Sequence, residues 1–272
     1  ISEYFVGNNS LVNRSGEQAT LLGVRIKDAI KNSYIPGGFS GRIFVTLDGE
    51  NYDAGTSNTT NQDGYLLVHF NPSVDYNVGL QKWKGGIYGD ACYQDSNSTE
   101  QYLTILGDLN VQLLNPSSYT EYLKPYDEID LLAKVTDDKG VEVSDADVSI
   151  KLIHESGEIY ECSPVISRGN GEYECSINTS QMRARYYNVS VVAKKQFYND
   201  GYLLSENLIY VKTMPILIGE QVLSKEGTNV GGWGETWTFK VNVTDEDLDP
   251  LSLKLWIRKA DEQIWILANS TS

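Results

Sequence analysis

Three aspartates at alternate positions, Asp245, Asp247 and Asp249, precede Pro250 in the stretch VNVTDEDLDP. Carboxylates in such numbers are the usual ligands of a hard, oxygen-seeking cation such as Ca2+. An EF-hand loop is excluded: counting from Asp245 puts Pro250 where Gly is required and Trp256 where Glu is required. What remains is an acidic turn between two strands, expected to hold Ca2+ weakly through Asp245, Asp247 and Asp249, with no other cofactor.

Other reactive groupings are scarce. The two histidines, His69 in YLLVHF and His154 in KLIHESGE, have no nucleophile in a recognisable context and read as strand residues. The segment GGFSGR brings its last glycine one residue too early for a Gly-x-Ser-x-Gly elbow. No phosphate-cradling Gly-rich loop or His-Glu-x-x-His motif occurs. Acidic residues gather at turns, where Asx geometry and solvation are their ordinary roles, so no catalytic activity is expected. Trp233, in the Gly-rich NVGGWGE, is expected to be exposed and able to stack on a sugar ring. Trp237 and Trp256 lie in strand-like alternation and are expected in a core.

Charge and composition narrow the partners. A formal net charge of −15 repels a phosphate backbone, so nucleic acid is not expected as a partner. No apolar run is long enough to cross a bilayer within this chain. The sequence opens at Ile1 without a signal-like apolar stretch, as a processed protein or an excised fragment would. Eighteen tyrosines against six phenylalanines suit half-buried sheet surfaces, where the ring packs and the hydroxyl stays wet.

Asn-x-Ser/Thr sequons stand at Asn8, Asn13, Asn58, Asn97, Asn178, Asn188, Asn242 and Asn269, and are expected to carry N-glycans on a secreted surface. The cysteines agree on the compartment. Cys162 and Cys175 flank a segment whose Arg168-Gly169-Asn170-Gly171 should turn a hairpin. That turn would set the two thiols opposite each other on adjacent strands, within reach of a disulfide. Cys92 is left over, which suggests a partner in another segment or another chain.

An internal repeat organises the chain. Asp28, Asp137 and Asp245 each end an alternating strand and lie 109 and 108 residues apart. The stretch DGYLLVHFNPS from Asp63 matches NGEYECSINTS from Asn170, and a YNV follows each, at Tyr76 and Tyr187. Two complete units and the start of a third are expected: residues 1–107, 108–213 and 214–272. The third would be either cut from a longer chain or completed by strands of another chain. Units of this size, with Gly/Asn/Asp turns between short alternating strands, read as immunoglobulin-like β-sandwiches, all-β throughout.

The residues VTDDKGVEVSDADVSIKL, GDLNVQLLNPSS and GGWGETWTFKVNVTDEDLDP resemble the tandem Ig-like modules of large archaeal cell-surface proteins, of the S-layer or adhesin kind. In the first unit DAIKNSYIPGG departs from the Asp-x-x-Gly turn of the pattern. The resemblance implies an extracellular structural or adhesive protein of an envelope layer, stalk or filament. Its expected partners are neighbouring copies, further domains of the same protein, and glycans. Two other readings stay open: a carbohydrate-binding accessory region of a secreted enzyme, and a filament subunit assembling by strand donation.

Overall fold

The computed structural model describes residues 1–232 and 234–271. Among them no α-helix forms; a single 3-10 turn, Thr179–Gln181, interrupts a succession of strands. The sequence dictates this by alternation. In the strand Thr20–Asp28, Leu22, Val24 and Ile26 are buried while Arg25 and Lys27 face outward, the period of two that a sheet with one wet face requires.

The first unit contains β1 (Ser2–Val6), β2 (Ser10–Asn13), β3 (Thr20–Asp28), β4 (Ser33–Tyr34), β5 (Ser40–Val45), β6 (Thr56–Thr59), β7 (Tyr65–Phe70), β8 (Gly79–Ile87), β9 (Ser96–Asn97) and β10 (Gln101–Asn115). One sheet places β3 between β1 and β7. The other runs β6-β5-β8-β10, with β2 added parallel to β10. Between the sheets lie Leu22, Val24, Leu66, Val68, Ile43, Val45, Leu103 and Ile105, packed around the fully buried Trp83.

The second unit adds β11 (Thr120–Leu123), β12 (Glu128–Asp137), β13 (Asp147–His154), β14 (Ile159–Cys162), β15 (Ile166–Gly169), β16 (Glu172–Asn178), β17 (Arg185–Lys194), β18 (Tyr198–Asn199) and β19 (Gly201–Lys212). It repeats the plan: β12 pairs β16, and β11 runs parallel to β19 beside β17, β13 and β14. Its core holds Ile129, Leu131, Val135, Ile150, Leu152, Val189 and Val191 around the fully buried Tyr187 of β17.

No loop separates the two units. Through Gln101–Ile105, β10 pairs with β8 and closes the first sandwich; through Leu109–Asn115 it pairs with β12 and opens the second. The partner changes at Gly107 and Asp108, where β18 touches it. A side chain at Gly107 would lie 2.8 Å from Val78 and 2.9 Å from the Tyr198 ring, so only glycine lets the two units close here.

The remaining strands are β20 (Ile216–Leu223), β21 (Thr238–Thr244), β22 (Leu253–Ile257) and β23 (Ile266–Thr271), forming two separate hairpins. By the repeat, β21 corresponds to β3 and β12, yet among the described residues nothing pairs with its second edge. Phe239, Leu217 and Leu267 are exposed. Trp256 and Trp265 are also about half exposed, at 49% and 57%, rather than packed in a core as alternation alone suggests for Trp256.

Cys162 and Cys175 are bonded, with Cα atoms 5.9 Å apart. Their geometry differs from the hairpin expectation. Asn170 and Gly171 do turn a hairpin, with φ of 51° and 72°, but it joins β15 to β16. Cys162 lies one strand earlier, on β14 in the opposite sheet. The disulfide therefore ties the two sheets together across the core. With its ends 13 positions apart, it stabilises the second unit by roughly 3 kcal/mol in the chain-entropy account. Replacing both cysteines by alanine is expected to lower the calorimetric transition of this unit by that amount and leave the first unit's transition in place.

Candidate functional site

Of the aspartates that the sequence singled out, Asp137 and the turn from Asp245 to Asp249 stand at the joints between units. At the first joint the deciding residue is Arg14, one position past β2 and buried to 4% exposure. Its Nε donates to both oxygens of Asp138, each at 3.0 Å, its Nη2 to Asp137 Oδ2 at 3.0 Å and to Asp138, and its Nη1 to the Tyr76 carbonyl at 3.1 Å. Burial pulls the guanidinium pKa down, but the Asp138 and Asp137 carboxylates outweigh it and the net shift is upward.

Asp137, the second copy of the repeated aspartate, has two tasks. Its Oδ1 accepts the backbone N–H groups of Lys139 and Val141, both at 2.9 Å, and shapes the turn after β12. Its Oδ2 holds the neighbouring unit through Arg14. Around this pair Asn199 donates to Asp108 Oδ1 at 2.6 Å and to Asn13 Oδ1 at 3.2 Å, and Ser15 donates to Asp108. Phe197 closes over Gly79, and its carbonyl accepts from Gly107 N at 3.1 Å.

The second joint reuses the plan with different residues. Lys124 stands one position past β11, as Arg14 stands past β2, and both strands run parallel to the last strand of their own sandwich. Its Nζ donates to Glu246 at 2.8 and 3.1 Å, and Glu246 follows Asp245 as Asp138 follows Asp137. Glu246 also accepts from Ala184 N at 3.0 Å. Burial pushes its carboxyl up, but Lys124 and the Ala184 amide hold it below the ordinary glutamate value.

The acidic turn that suggested a cation site is held by the preceding unit. Thr213 donates through Oγ1 to Asp245 Oδ1 at 2.8 Å and through its backbone N to Asp247 Oδ2 at 2.7 Å. Tyr210 donates to Asp249 Oδ1 at 3.0 Å, and Arg185 donates to the Asp247 carbonyl at 3.1 Å. Asp245 and Asp247 thus share Thr213, while Asp249 turns to Tyr210. Among the described residues no group of three His, Cys, Asp or Glu side chains is arranged to hold a metal ion. Asp247 is buried at 2% exposure. Burial raises its pKa, but the Thr213 N–H and the neighbouring Asp245 hold it below the ordinary aspartate value. Burial and the Asp247 charge raise Asp245.

The first copy, Asp28, shapes its turn in the same way, accepting from Ile30 N at 2.9 Å and Lys31 N at 3.0 Å. Its other oxygen accepts from Tyr93 of its own unit at 3.3 Å. Arg14 and Lys124 were missed by sequence reasoning. The available signal was that each carries a positive charge one residue past a short edge strand, 110 residues apart.

No protein-family model matches the sequence, nor does any curated protein match it significantly. Solved structures do. A structure of three Ig domains of titin aligns with 97% of this chain and 81% of its own at a TM-score of 0.50 and 9% identity. The fold is the immunoglobulin-like sandwich in tandem. A tetra-tandem repeat from the extending region of a large adhesion protein aligns at TM-score 0.38 and 13% identity, covering 98% of this chain and 63% of that one. The endo-β-1,4-mannanase of Thermotoga petrophila aligns over 39% of this chain at TM-score 0.30 and 14% identity. This chain thus spans under two thirds of the adhesion-protein chain and a fifth (20%) of the mannanase.

The other sequence-marked residues are spread over the surface. Asn8, Asn58, Asn97, Asn178, Asn242 and Asn269 are exposed, while Asn13 and Asn188 are half-buried. Asn13 sits inside the first joint. Asn58 donates its amide to Leu67 O at 2.7 Å, and Asn188 accepts from Asn207 N at 2.7 Å. Trp233 lies outside the described residues. Cys92 is a free, exposed thiol in the loop after β8. His154 is buried, with Nδ1 bonded to Ser156 Oγ and Nε2 to the Ala184 carbonyl, which accounts for both ring nitrogens.

The two joints should respond differently to mutation. Arg14→Ala leaves Asp137 and Asp138 with buried, unpaired charge and is expected to cost about 3 kcal/mol, uncoupling the calorimetric transitions of the first two units. Lys124→Ala removes a pair whose side chains are 21% and 45% exposed and is expected to cost under about 1 kcal/mol. Acid should weaken the Glu246 and Asp247 contacts of the second joint. Glu246 and Asp247 have lowered pKa values, so their contribution is complete above their unfolded pKa and is lost as pH falls through the folded values. A pH titration followed by NMR should show Ala184 and Thr213 amide shifts moving before those of the sandwich cores.

Proposed function

We propose that this chain is a load-bearing segment of an extracellular surface protein: a stiff array of Ig-like units that spaces and presents an adhesive surface, without catalysis. The observation that carries this reading is the first joint, where a buried Arg14–Asp137–Asp138 cluster and a strand shared by both sandwiches leave no free linker. Units meant to move independently are joined by exposed, contact-poor linkers; here the boundary is among the most buried polar regions of the chain. The disulfide and the eight sequons support an oxidising, extracellular setting. Its partners would be further units of the same protein and neighbouring copies in an envelope layer, stalk or filament.

The open edges of β21 and β22 favour a second reading, in which the third unit is completed by strands from another chain. Small-angle scattering of the intact chain separates these readings. A rod reading requires a single, concentration-independent extended profile for the first two units, broadened by Arg14→Ala. A profile typical of freely jointed units in the unaltered chain overturns it. Reversible growth in mass with concentration, abolished by charged substitutions at Phe239 and Leu255, supports strand completion between copies.

A further inference from the structure

The first unit holds its positive charge differently from the second. In residues 108–213 nine of the ten Lys and Arg side chains are ion-paired: Lys124, Lys134, Lys151, Arg168, Arg183, Arg185, Lys194, Lys195 and Lys212. In residues 1–107 only Arg14 of seven is, and its acids belong to the next unit. Three of the six cations without an acidic partner among the described residues, Arg42, Lys82 and Lys84, point outward from the same face of the β5-β8-β10 sheet. In a chain of net charge −15 this gathers three cations without an acidic partner on one sheet face.

Aromatic rings lie between these charges. The Arg42 guanidinium sits 4.6 Å from the centre of the Tyr88 ring, and Lys84 Nζ sits 4.1 Å from that of Tyr52. Phe44 packs edge-on against Tyr88 at 5.5 Å. Strand register places Phe44 opposite Lys84, and Lys82 opposite the exposed Tyr102, so cation and ring alternate across three strands. Arg42 is fixed by Nε to Ser57 Oγ at 3.0 Å and Nη1 to Ala54 O at 3.2 Å, and its Nη2 faces no acceptor among the described residues. At this end lies a cleft of about 370 Å³, lined by Ser40, Arg42, Ser57, Asn58, Thr59 and Tyr88. Nearby carboxylates are already engaged: Asp90 by Ser40 N, Cys92 N and Tyr93 N, Asp95 by Gly89 N, and Glu100 by the Tyr52 hydroxyl.

We propose that this face binds an acidic polysaccharide. A guanidinium anchored by two hydrogen bonds and keeping a free N–H matches a sugar carboxylate or sulfate, and tyrosine faces accept the C–H side of a pyranose ring. Hydroxyl and amide groups in the cleft match ring hydroxyls, and spaced lysines meet the recurring charge of a polymer. The repeating charge of the polymer matches the row of cations better than the irregular surface of an acidic protein does. The proposal names the ligand of the adhesive surface inferred above and rests on that reading. The two fail separately, because scattering reports the rod and binding reports the face.

The test uses the intact chain made without glycosylation, so that nothing is attached at Asn58. Binding to polygalacturonate, chondroitin sulfate and fully methyl-esterified pectin is followed by interferometry without divalent ions. We expect binding to at least one anionic polymer, none to the ester, and affinity falling about tenfold between 50 and 300 mM salt. Arg42→Ala and Tyr88→Ala should each weaken binding about tenfold. Arg25→Ala on the opposite sheet should leave binding unchanged, as should Arg14→Ala. Circular dichroism of each variant confirms the fold. Binding to neither anionic polymer, or equal loss with Arg25→Ala, overturns the proposal. Self-association of the chain abolished by Arg42→Ala, without glycan binding, assigns the face to an acidic protein partner instead.

Discussion

The structure turns on one buried cation. Arg14 belongs by sequence to the first sandwich, yet its charge is balanced by Asp137 and Asp138 of the second. A guanidinium removed from water is costly unless its donors are met, and most of them are met by residues more than a hundred positions away or by Tyr76 of its own unit. The two sandwiches therefore depend on each other for polar satisfaction, although each has its own apolar core.

The same economy of residues explains the repeated aspartate. A turn after an alternating strand needs an acceptor for its backbone N–H groups, and one carboxylate oxygen suffices. The second oxygen remains available, and each unit uses it differently: Tyr93 in the first, Arg14 in the second. In the third copy Thr213 donates to the carboxylate, and the joint-forming charge moves one residue on, to Glu246. At Asp137 a structural turn and an inter-unit contact are thus built from one position.

The two joints differ in burial. The first joint combines a shared strand, a glycine contact and a fully enclosed ion cluster. The second relies on a half-exposed Lys124–Glu246 pair and on hydrogen bonds from Thr213, Tyr210 and Arg185. Exposed pairs contribute little because water competes for both ions. The first joint is thus the more deeply buried of the two. The disulfide adds to the second unit by joining its sheets, a constraint that complements the hydrogen bonds running within each sheet.

Much of the architecture was legible in the sequence. Alternation in β3 and β12, the Asn-Gly turn at Asn170 and the repeated aspartates imply Ig-like sandwiches in series, because strand period and turn chemistry act locally. Local rules could not say which sheet Cys162 joins, since a strand's sheet depends on pairings made elsewhere. Nor could they separate a cation-binding acidic turn from one whose oxygens are held by Thr213 and Tyr210. The sequence by itself determined the strands, their repetition and the chemical types available at each turn. Only the tertiary structure decided that Arg14 answers Asp138, that Arg42, Lys82 and Lys84 share a face, and that the acidic turn is a joint. Electrostatic partners are set by distance in space, which the order of residues does not contain.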